Sequence, residues 1–410
     1  MMKSRFRWKK FSVDGKSALR TLKIKRRCET AEYDQSPKCA SSSMKYKVNS
    51  NLVKPASGIR SIAAELGISV ATVHRALHNR GRVSSETRDR VLRMAAHLEY
   101  KPNLAARDLR LNRHLRISVH LPAAIASFFD SLRVGVEKGA EPFRSVVDVE
   151  FHRYARSPGR AQASIRTALE QPLDGIIVAL ANTAQMVRLV RRAQAKAIPV
   201  ICVSTDVPGS GRLTAVTPYP YCSGAMAAEM LAGCVKMPGS MVALVGDLEN
   251  LHHAEKIRGF KDVLAKTVPR LSVAAVIEAH DDPEQARRGI LRCLRTVPEI
   301  GGLYISSANS IGALQALRET GSLHKFPIIT TDLFPELLPF LSDGSVKATI
   351  YQCPELQGSI AIQGMYRYLI DGVIPPPMLG VIPQLVMKSN LDLYLNRTAE
   401  IDEMHTYFDR

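Results

Sequence analysis

The spacing of apolar residues changes sharply along the chain. Residues 1–57 show no sustained apolar period, so we expect no packed core there. Just beyond them, apolar side chains recur at helical intervals on both sides of Gly67. This pattern predicts two short helices, Arg60–Leu66 and Val70–Leu77, separated by a tight turn.

A third amphipathic helix is predicted next. Ser84 is a suitable N-cap, and apolar positions at helical spacing follow it to about His97. Two short helices across a glycine turn, supported by a third, form the helix-turn-helix pattern, whose second helix can lie in the major groove of DNA. The expected fold of this part is therefore a small all-α, DNA-binding domain.

From Leu115 onward, short apolar runs alternate with amphipathic segments. This alternation is typical of α/β proteins with two doubly wound parallel sheets, here one after the other. The predicted strands are 115–121, 146–151, 175–180, 199–203, 241–245, 273–278, 302–305, 327–331 and 348–351. The predicted helices are 128–143, 183–195, 222–235, 254–267, 283–297, 310–320 and 354–371.

The positive charge of the chain is concentrated at its front. The formal net charge is +18, and residues 1–113 hold 26 Lys and Arg against 9 Asp and Glu. The remaining residues are nearly balanced, with 30 against 29. A basic front on a neutral body indicates a nucleic-acid-binding module attached to another domain.

Several classes of protein are disfavoured by what the sequence lacks. It contains no apolar run of the ~20 residues needed to cross a bilayer and no apolar stretch behind the basic N-terminus. Seven scattered cysteines without a CxxC pair fit reduced thiols in a cytoplasmic protein. There is no GxSxG, P-loop or HExxH motif, so we expect no enzyme activity, no cofactor and no metal.

The amino-terminal module resembles the lactose/galactose repressor family. The matching residues include Gly67-Ile68-Ser69-Val70-Ala71-Thr72-Val73, Gly81-Arg82-Val83-Ser84 and Pro102-Asn103. The rest is similar to that family's effector domain and to periplasmic sugar-binding proteins. Its best markers are Asp206-Val207-Pro208-Gly209, Arg258-Gly259-Phe260, Asp332 and the segment 348–352.

The resemblance and the residue chemistry together suggest DNA contacts. Arginine can bond guanine, and small apolar groups can touch a thymine methyl; the alternative for Val70 and Ala71 is simple packing. His74 departs from the serine usual in the family, and Ser69 and Asn103 suit phosphate contact or capping. The expected DNA-binding residues are Ser69, Val70, Ala71, Thr72, His74, Arg75, Asn103, Ala106 and Leu109.

Residues 103–111 look like the family's hinge helix. In that family two such helices pair across a dimer, and each inserts a leucine into the minor groove; the matching residue here is Leu109. An apolar wedge of this kind partly unstacks a base step and kinks the duplex. A short helix is marginal alone in water, so its folding could couple DNA binding to the effector domain.

Polar and aromatic residues after the predicted strands suggest an effector site. Ligands bind outside the carboxyl ends of strands in open α/β sheets. The expected effector-binding residues are Phe128, Phe129, Asp206, Arg212, Arg258, Asn309, Asp332 and Gln352. Their mixture of donors and acceptors suits a sugar or derivative. The alternatives are helix caps for the Asp and Asn residues, pairing of Arg258 with Asp247 or Glu255, and a purine or phosphorylated sugar as ligand.

The sequence thus predicts an effector-controlled transcriptional regulator, most simply a homodimeric repressor on pseudo-palindromic operator DNA. The alternative is a sugar-binding transport or chemotaxis receptor without a DNA role.

The expected domains are an extension (1–57), a helix-turn-helix domain (58–101), a hinge helix (102–113), a two-lobed domain (114–395) and a tail (396–410). Lobe one is expected at about 114–219 and 350–378, and lobe two at about 220–349 and 379–395. An alternative start at Met44 would remove residues 1–43.

Overall fold

The computed structural model describes residues 59–77, 83–98, 114–155, 159–235, 239–307 and 311–395. Four predicted site residues, Asn103, Ala106, Leu109 and Asn309, lie outside these ranges, as do the hinge helix and both terminal segments. No helix among the described residues is long and apolar enough to span a membrane.

Three helices form the first folded part, as predicted: α1 (Ile59–Leu66), α2 (Val70–Leu77) and α3 (Ser85–His97). Ile62, Val73 and Val91, one from each helix, are fully buried against one another. The turn between α1 and α2 requires the left-handed φ of +63° at Gly67.

Serine caps begin the second and third of these helices. Ser69 Oγ accepts a hydrogen bond from the backbone N–H of Thr72 at 3.0 Å, and Ser84 Oγ accepts one from Thr87 at 3.2 Å. Each cap satisfies a helix N-terminal donor that would otherwise have no partner. The two predicted caps are therefore present.

Two α/β lobes follow, each with a six-stranded sheet covered by helices. Lobe one has the strand order β11-β5-β4-β3-β1-β2, and lobe two has the order β12-β10-β9-β8-β6-β7. Pairing is parallel except between β10 and β12. The strands are β1 (Leu115–Pro122), β2 (Val147–Tyr154), β3 (Gly175–Val178), β4 (Val200–Val203), β5 (Thr214–Pro218), β6 (Gly239–Val245), β7 (Leu271–Glu278), β8 (Ile300–Ile305), β9 (Ile328–Thr331), β10 (Ala348–Tyr351), β11 (Met378–Val381) and β12 (Gln384–Val386).

The helices between the strands bury apolar faces on the sheets. They are α4 (Ala126–Ala140), α5 (Arg160–Ala168), α6 (Ala184–Ala195), α7 (Pro220–Cys234), α8 (Leu251–Thr267), α9 (Pro283–Thr296), α10 (Ile311–Glu319), α11 (Leu338–Ser342), α12 (Pro354–Asp371) and α13 (Leu391–Leu395), with three short 3₁₀ turns. The predicted class, helices followed by two doubly wound parallel sheets, is confirmed.

The chain crosses between the lobes three times, and two crossings differ from expectation. β10 belongs wholly to lobe two, so the second crossing follows Tyr351 and not residue 349. β11 belongs to lobe one and β12 to lobe two, which moves the last crossing from 378 to just after Val381. Strand pairing sets these points, and apolar spacing alone does not show which sheet a short strand joins.

Sequence patterning missed six elements of the lobes: β5, β11, β12, α5 and the two five-residue helices α11 and α13. β5, β11 and β12 have three to five residues each, too few for a clear alternation. α5 has a weakly apolar face, with only Ile165 and Ala168 buried. β11 and β12 are the edge strands supplied by the last two passages of the chain between lobes.

Candidate functional site

A cavity of about 400 Å³ lies between the carboxyl ends of the strands of the two sheets. In each sheet the strand order reverses beside the first strand, between β1 and β3 in lobe one and between β6 and β8 in lobe two. Loops after these strands supply much of the lining, including Ala124, Asn182, Asn250 and Ser307. Ligands of open α/β sheets bind at such topological switch points.

A larger groove of about 500 Å³ lies elsewhere on lobe two. Its lining includes Ile300, the first residue of β8, and Phe326, just before β9. These positions are at the amino ends of the strands, where α/β sheets rarely bind ligands. We therefore take the cavity between the lobes as the candidate site.

Lobe one gives the cavity a wall of aromatic, aliphatic and uncharged polar side chains. Phe128 and Phe129 line it as predicted, with their rings edge to face at 5.1 Å. Tyr154 lies nearby and donates a hydrogen bond from its hydroxyl to the carbonyl of Ala179, and burial raises the pKa of this phenol. None of the described lobe-one residues in the lining carries a charge. This wall suits the apolar face of a ring.

Lobe two contributes Asp332 and Gln352, which were also predicted to bind the effector and which line the cavity. The Gln352 side-chain amide donates to Asp332 Oδ2 at 2.7 Å, and the Gln352 backbone N–H donates to Oδ1 at 3.3 Å. Asp332 has a φ of +67°, uncommon for a residue other than glycine. Burial raises its pKa to about 6, although Lys256 and the hydrogen bonds from Gln352 oppose the shift.

Lys256 is the cavity residue that the sequence analysis missed. It is only 4% exposed, and its Nζ donates to the carbonyl of Ser306 at 3.4 Å. Burial lowers its pKa, while the charges of Asp332 and Asp281 oppose that shift. The buried ammonium thus lies in the field of two carboxylates at the centre of the lobe-two wall.

Close packing between α7 and α8 holds Lys256 in place. A Cβ on Gly224 would overlap the Lys256 carbonyl, and a Cβ on Gly259 would overlap the Tyr221 carbonyl. The two helices therefore approach to backbone contact. This approach fixes the backbone from which the Lys256 side chain extends.

Two histidines at the start of α8 also line the cavity. His253 Nδ1 accepts a hydrogen bond from the backbone N–H of Asp247 at 3.0 Å. His252 is 8% exposed, and its Nδ1 is buried without a hydrogen-bond partner among the described residues. Burial lowers the pKa of each imidazole to about 4, so both are neutral at pH 7.

Three predicted effector residues are not part of the described lining. Asp206 and Arg212 pair with each other, with Arg212 Nη2 donating to Asp206 Oδ2 at 2.6 Å and Nη1 donating to the carbonyl of Pro377 at 2.8 Å. Both side chains are more than four-fifths buried. Because only a short loop separates them, each side chain supplies the hydrogen-bond partner of the other. The pair holds this loop against the segment before β11.

Arg258 faces outward from α8, with 55% of its side chain exposed. Its Nη2 lies 2.6 Å from Glu255 Oε2 and its Nη1 lies 3.5 Å from Asp262 Oδ2. Its guanidinium also covers the ring of Tyr221 at 4.5 Å. Arg258 thus forms a surface ion pair with Glu255, which was the alternative to effector binding. Lys256, two residues earlier, faces the cavity.

In the helical part, α2 presents the predicted DNA-contacting residues on its outer face. Val70, Ala71, His74 and Arg75 are exposed, whereas Val73 and Ala76 are buried in the core. The packing alternative for Val70 and Ala71 does not hold, since both side chains face outward. Their contact with DNA remains a prediction.

Arg75 is held along the axis of α2. Its Nε donates to the carbonyl of Ala71 at 3.2 Å and its Nη2 donates to Thr72 Oγ1 at 3.4 Å. Thr72 Oγ1 also lies 2.8 Å from Ser69 Oγ. Ser69, Thr72 and Arg75 thus form a polar row one helical turn apart, available to a phosphate or a base edge.

Comparison with known families agrees with both parts of the structure. Residues 58–103 match the family described as bacterial regulatory proteins, lacI family. Residues 117–372, more than half of the chain, match the periplasmic binding protein domain. The chain belongs to the periplasmic binding protein domain family. It joins this domain to a lacI-family helix-turn-helix domain.

Curated relatives match most of this chain in one alignment. Catabolite control protein A of Staphylococcus xylosus is 23% identical over 328 residues, which cover 78% of this chain and 94% of that protein. The ribose operon repressor of Haemophilus influenzae is 22% identical over 269 residues, covering 64% and 77% of the two chains.

Solved periplasmic-binding-protein structures share the fold of the two lobes. The glucose-galactose binding protein of Geobacillus stearothermophilus superposes with a TM-score of 0.63 at 23% identity, covering 68% of this chain and 99% of that one. A solute-binding protein of Actinobacillus succinogenes with bound D-allose also gives 0.63, at 22% identity, covering 68% and all of its chain.

Proposed function

We propose that this protein is a transcriptional regulator that binds operator DNA through α2 and whose operator affinity changes when a small sugar-like molecule binds between its lobes. The observation that carries this proposal is the lacI-family match at residues 58–103 in one chain with the periplasmic binding protein domain. The regulator relatives and the cavity between the two sheets support it further.

The effector contacts are proposed from the cavity lining. Phe128 and Phe129 would cover an apolar ring face, while Asp332, Gln352 and Lys256 would bond hydroxyl groups. Buried polar groups of this kind discriminate strongly, because a ligand lacking their partner leaves them unsatisfied. Binding changes operator affinity only to the extent that the effector prefers one of the two lobe arrangements.

On DNA, we propose that the protein acts as a homodimer on a pseudo-palindromic operator, most simply as a cytoplasmic repressor. Ser69, Val70, Ala71, Thr72, His74 and Arg75 would contact one half-site. Asn103, Ala106 and Leu109, which lie outside the described residues, are proposed as hinge contacts on the resemblance alone. This function requires no catalytic step.

A transport or chemotaxis receptor is the competing function, since solved structures with this fold include sugar-binding proteins. The lacI-family match disfavours it. Selection of bound fragments from a random duplex library decides between the two. Enrichment of one pseudo-palindrome supports the regulator, and binding without sequence preference would overturn it.

The same operator then tests effector control. Operator affinity is measured by fluorescence anisotropy with and without each sugar, at one fixed salt concentration, because salt alone changes protein–DNA affinity. A compound that changes specific affinity at least tenfold supports the proposal. If no tested compound changes the affinity for the operator, the proposed control by an effector is contradicted.

A further inference from the structure

The wall that lobe two gives to the cavity has an excess of negative charge. Four carboxylates, Asp247, Glu249, Asp281 and Asp332, line it together with one cation, Lys256. His252 and His253 are neutral at pH 7 because burial lowers the pKa of each to about 4. Lobe one adds no charge from its described lining residues. The formal balance of the described lining is therefore negative.

The charges of Asp247 and Glu249 are not cancelled by ion pairs inside the described structure. Lys256 lies in the field of Asp332 and Asp281, so it offsets the buried part of the cluster. Asp247 Oδ1 accepts a hydrogen bond from the backbone N–H of Glu249 at 2.9 Å, but neither carboxylate has a cation within ion-pair distance in the ranges described. The Glu249 carboxylate is exposed, at the edge of the cavity.

Two buried polar atoms show independently that this wall is built for a polar ligand. His252 Nδ1 and Ser306 Oγ have no hydrogen-bond partner among the described residues, and both residues line the cavity. Their exposed fractions are 8% and 0%. A buried polar atom without a partner is costly, so a ligand that bonds it gains affinity and selectivity. A hydroxylated ring can donate to His252 and bond Ser306.

We infer that the effector is a hydroxylated ring compound that carries a basic amino group and no phosphate or carboxylate, with an amino sugar as the simplest member of this class. The inference rests on the proposed function and narrows its ligand class. The ammonium is attracted by Asp247 and Glu249, and a charged pair of this kind is strengthened by partial exclusion of water. A phosphate or uronate would meet the same carboxylates as like charges.

The test is isothermal titration of the full-length protein at pH 7 with matched sets of sugars. Each set contains an amino sugar (glucosamine, galactosamine or mannosamine), its neutral parent hexose, the corresponding uronic acid and the 6-phosphate. We expect one amino sugar to bind at least tenfold more tightly than its parent, and the acid and phosphate to bind more weakly than the parent.

The outcomes separate this inference from the proposed function. A neutral hexose that binds as tightly as its amino derivative, or a phosphate or uronate that binds best, overturns the charge argument and leaves a sugar-responsive regulator standing. Absence of binding by all three amino sugars also overturns it. The proposed function fails separately, when no operator is selected or no tested compound changes operator affinity.

A pair of variants assigns the preference to the cavity edge. Glu249→Gln is expected to lower amino-sugar affinity about tenfold and to change affinity for the neutral parent by less than twofold. Glu255→Gln is the control, because Glu255 follows six residues later on α8 but bonds Arg258 and is not in the lining. Equal losses for amino and neutral sugars in Glu249→Gln would contradict an ammonium contact.

Discussion

Gln352 joins Asp332 to the other lobe through two hydrogen bonds in series. Its side-chain amide donates to Asp332 Oδ2 at 2.7 Å, and its backbone carbonyl accepts from Gln357 Nε2 at 2.8 Å. Asp332 follows β9 of lobe two, whereas Gln357 belongs to α12 of lobe one. A carboxylate at the cavity is therefore tied directly to a crossing between the lobes.

Replacement of Asp332 by Asn should weaken binding of the effector without changing operator affinity in its absence. The variant loses a charged acceptor, and hydrogen bonds to charged groups contribute about 1.5–3 kcal/mol each. We expect effector affinity to fall ~10-fold or more, with operator affinity in the absence of effector unchanged. Fluorescence anisotropy with and without the effector measures both. Arg258→Gln is the control, since Arg258 lies outside the lining, and an equal loss there would contradict the assignment.

Arg75→Ala should weaken specific operator binding by ~1–3 kcal/mol with little effect on nonspecific DNA. Arg75 is exposed on the outer face of α2, where a guanidinium can reach a guanine edge. Affinities for operator and for a scrambled duplex are compared at one salt concentration. Arg93→Ala, an exposed arginine of α3, serves as the matched control. Equal losses on both duplexes would make Arg75 a phosphate contact.

Leu109→Ala should abolish an operator kink. The resemblance assigns Leu109 as the minor-groove wedge, and an apolar wedge unstacks a base step, at a cost of a few kcal/mol, and so kinks the duplex. Circular-permutation gel shifts measure the bend angle of the bound operator. Leu111→Ala, in the same segment, should bend DNA as the unmodified protein does. A Leu109→Ala complex with the full bend would rule out the wedge.

Gly224→Ala should destabilise lobe two, because the added methyl group would overlap the backbone carbonyl of Lys256. Forcing apart helices in backbone contact typically costs 1–3 kcal/mol or more. Gly233→Ala, on the same helix, has open space around its Cβ position and should be neutral or stabilising by up to ~1 kcal/mol. Urea unfolding compares the two variants, and equal midpoints would contradict a tight α7–α8 contact.

Apolar spacing predicted most of the fold because long elements carry strong periodicity. α8 and α12 have 17 and 18 residues; α12 has its predicted bounds, and α8 differs only in starting three residues earlier than predicted. β11 was missed since its four residues include a glycine and only Val381 is buried. Its place in lobe one depends on pairing with β5, a long-range contact that local sequence does not encode.

The candidate site was only partly predictable for a related reason. Asp332 and Phe128 follow strands at the expected edge, and the structure places both in the lining. Arg258 was chosen because arginine suits hydroxyl recognition, while a buried lysine within a helix is uncommon. The spacing of residues could have identified Lys256. It lies four residues from both His252 and Phe260, and all three are buried on the same face of α8.

Away from the cavity, His120 is buried in lobe one between two hydroxyl groups. Its Nε2 lies 2.7 Å from Ser118 Oγ, and its Nδ1 lies 2.7 Å from Ser164 Oγ. The ring stacks on His152 at 4.7 Å. Burial, together with the charge of His152, lowers the pKa of His120 to about 4. The folded protein therefore keeps this imidazole neutral well below the pH at which the unfolded chain protonates it.

This difference predicts a loss of stability in mild acid. Between pH 6.5 and about 4 the unfolded chain binds a proton at His120 that the folded protein does not, so its free energy of unfolding falls as pH is lowered. One such group contributes a slope of about 1.4 kcal/mol per pH unit. Urea unfolding between pH 7 and 4.5 should therefore show a shallower decline for His120→Gln than for the unmodified protein. His114→Gln, which alters a largely exposed side chain, should keep the original slope. Parallel declines for all three proteins would mean that His120 is protonated in the folded state.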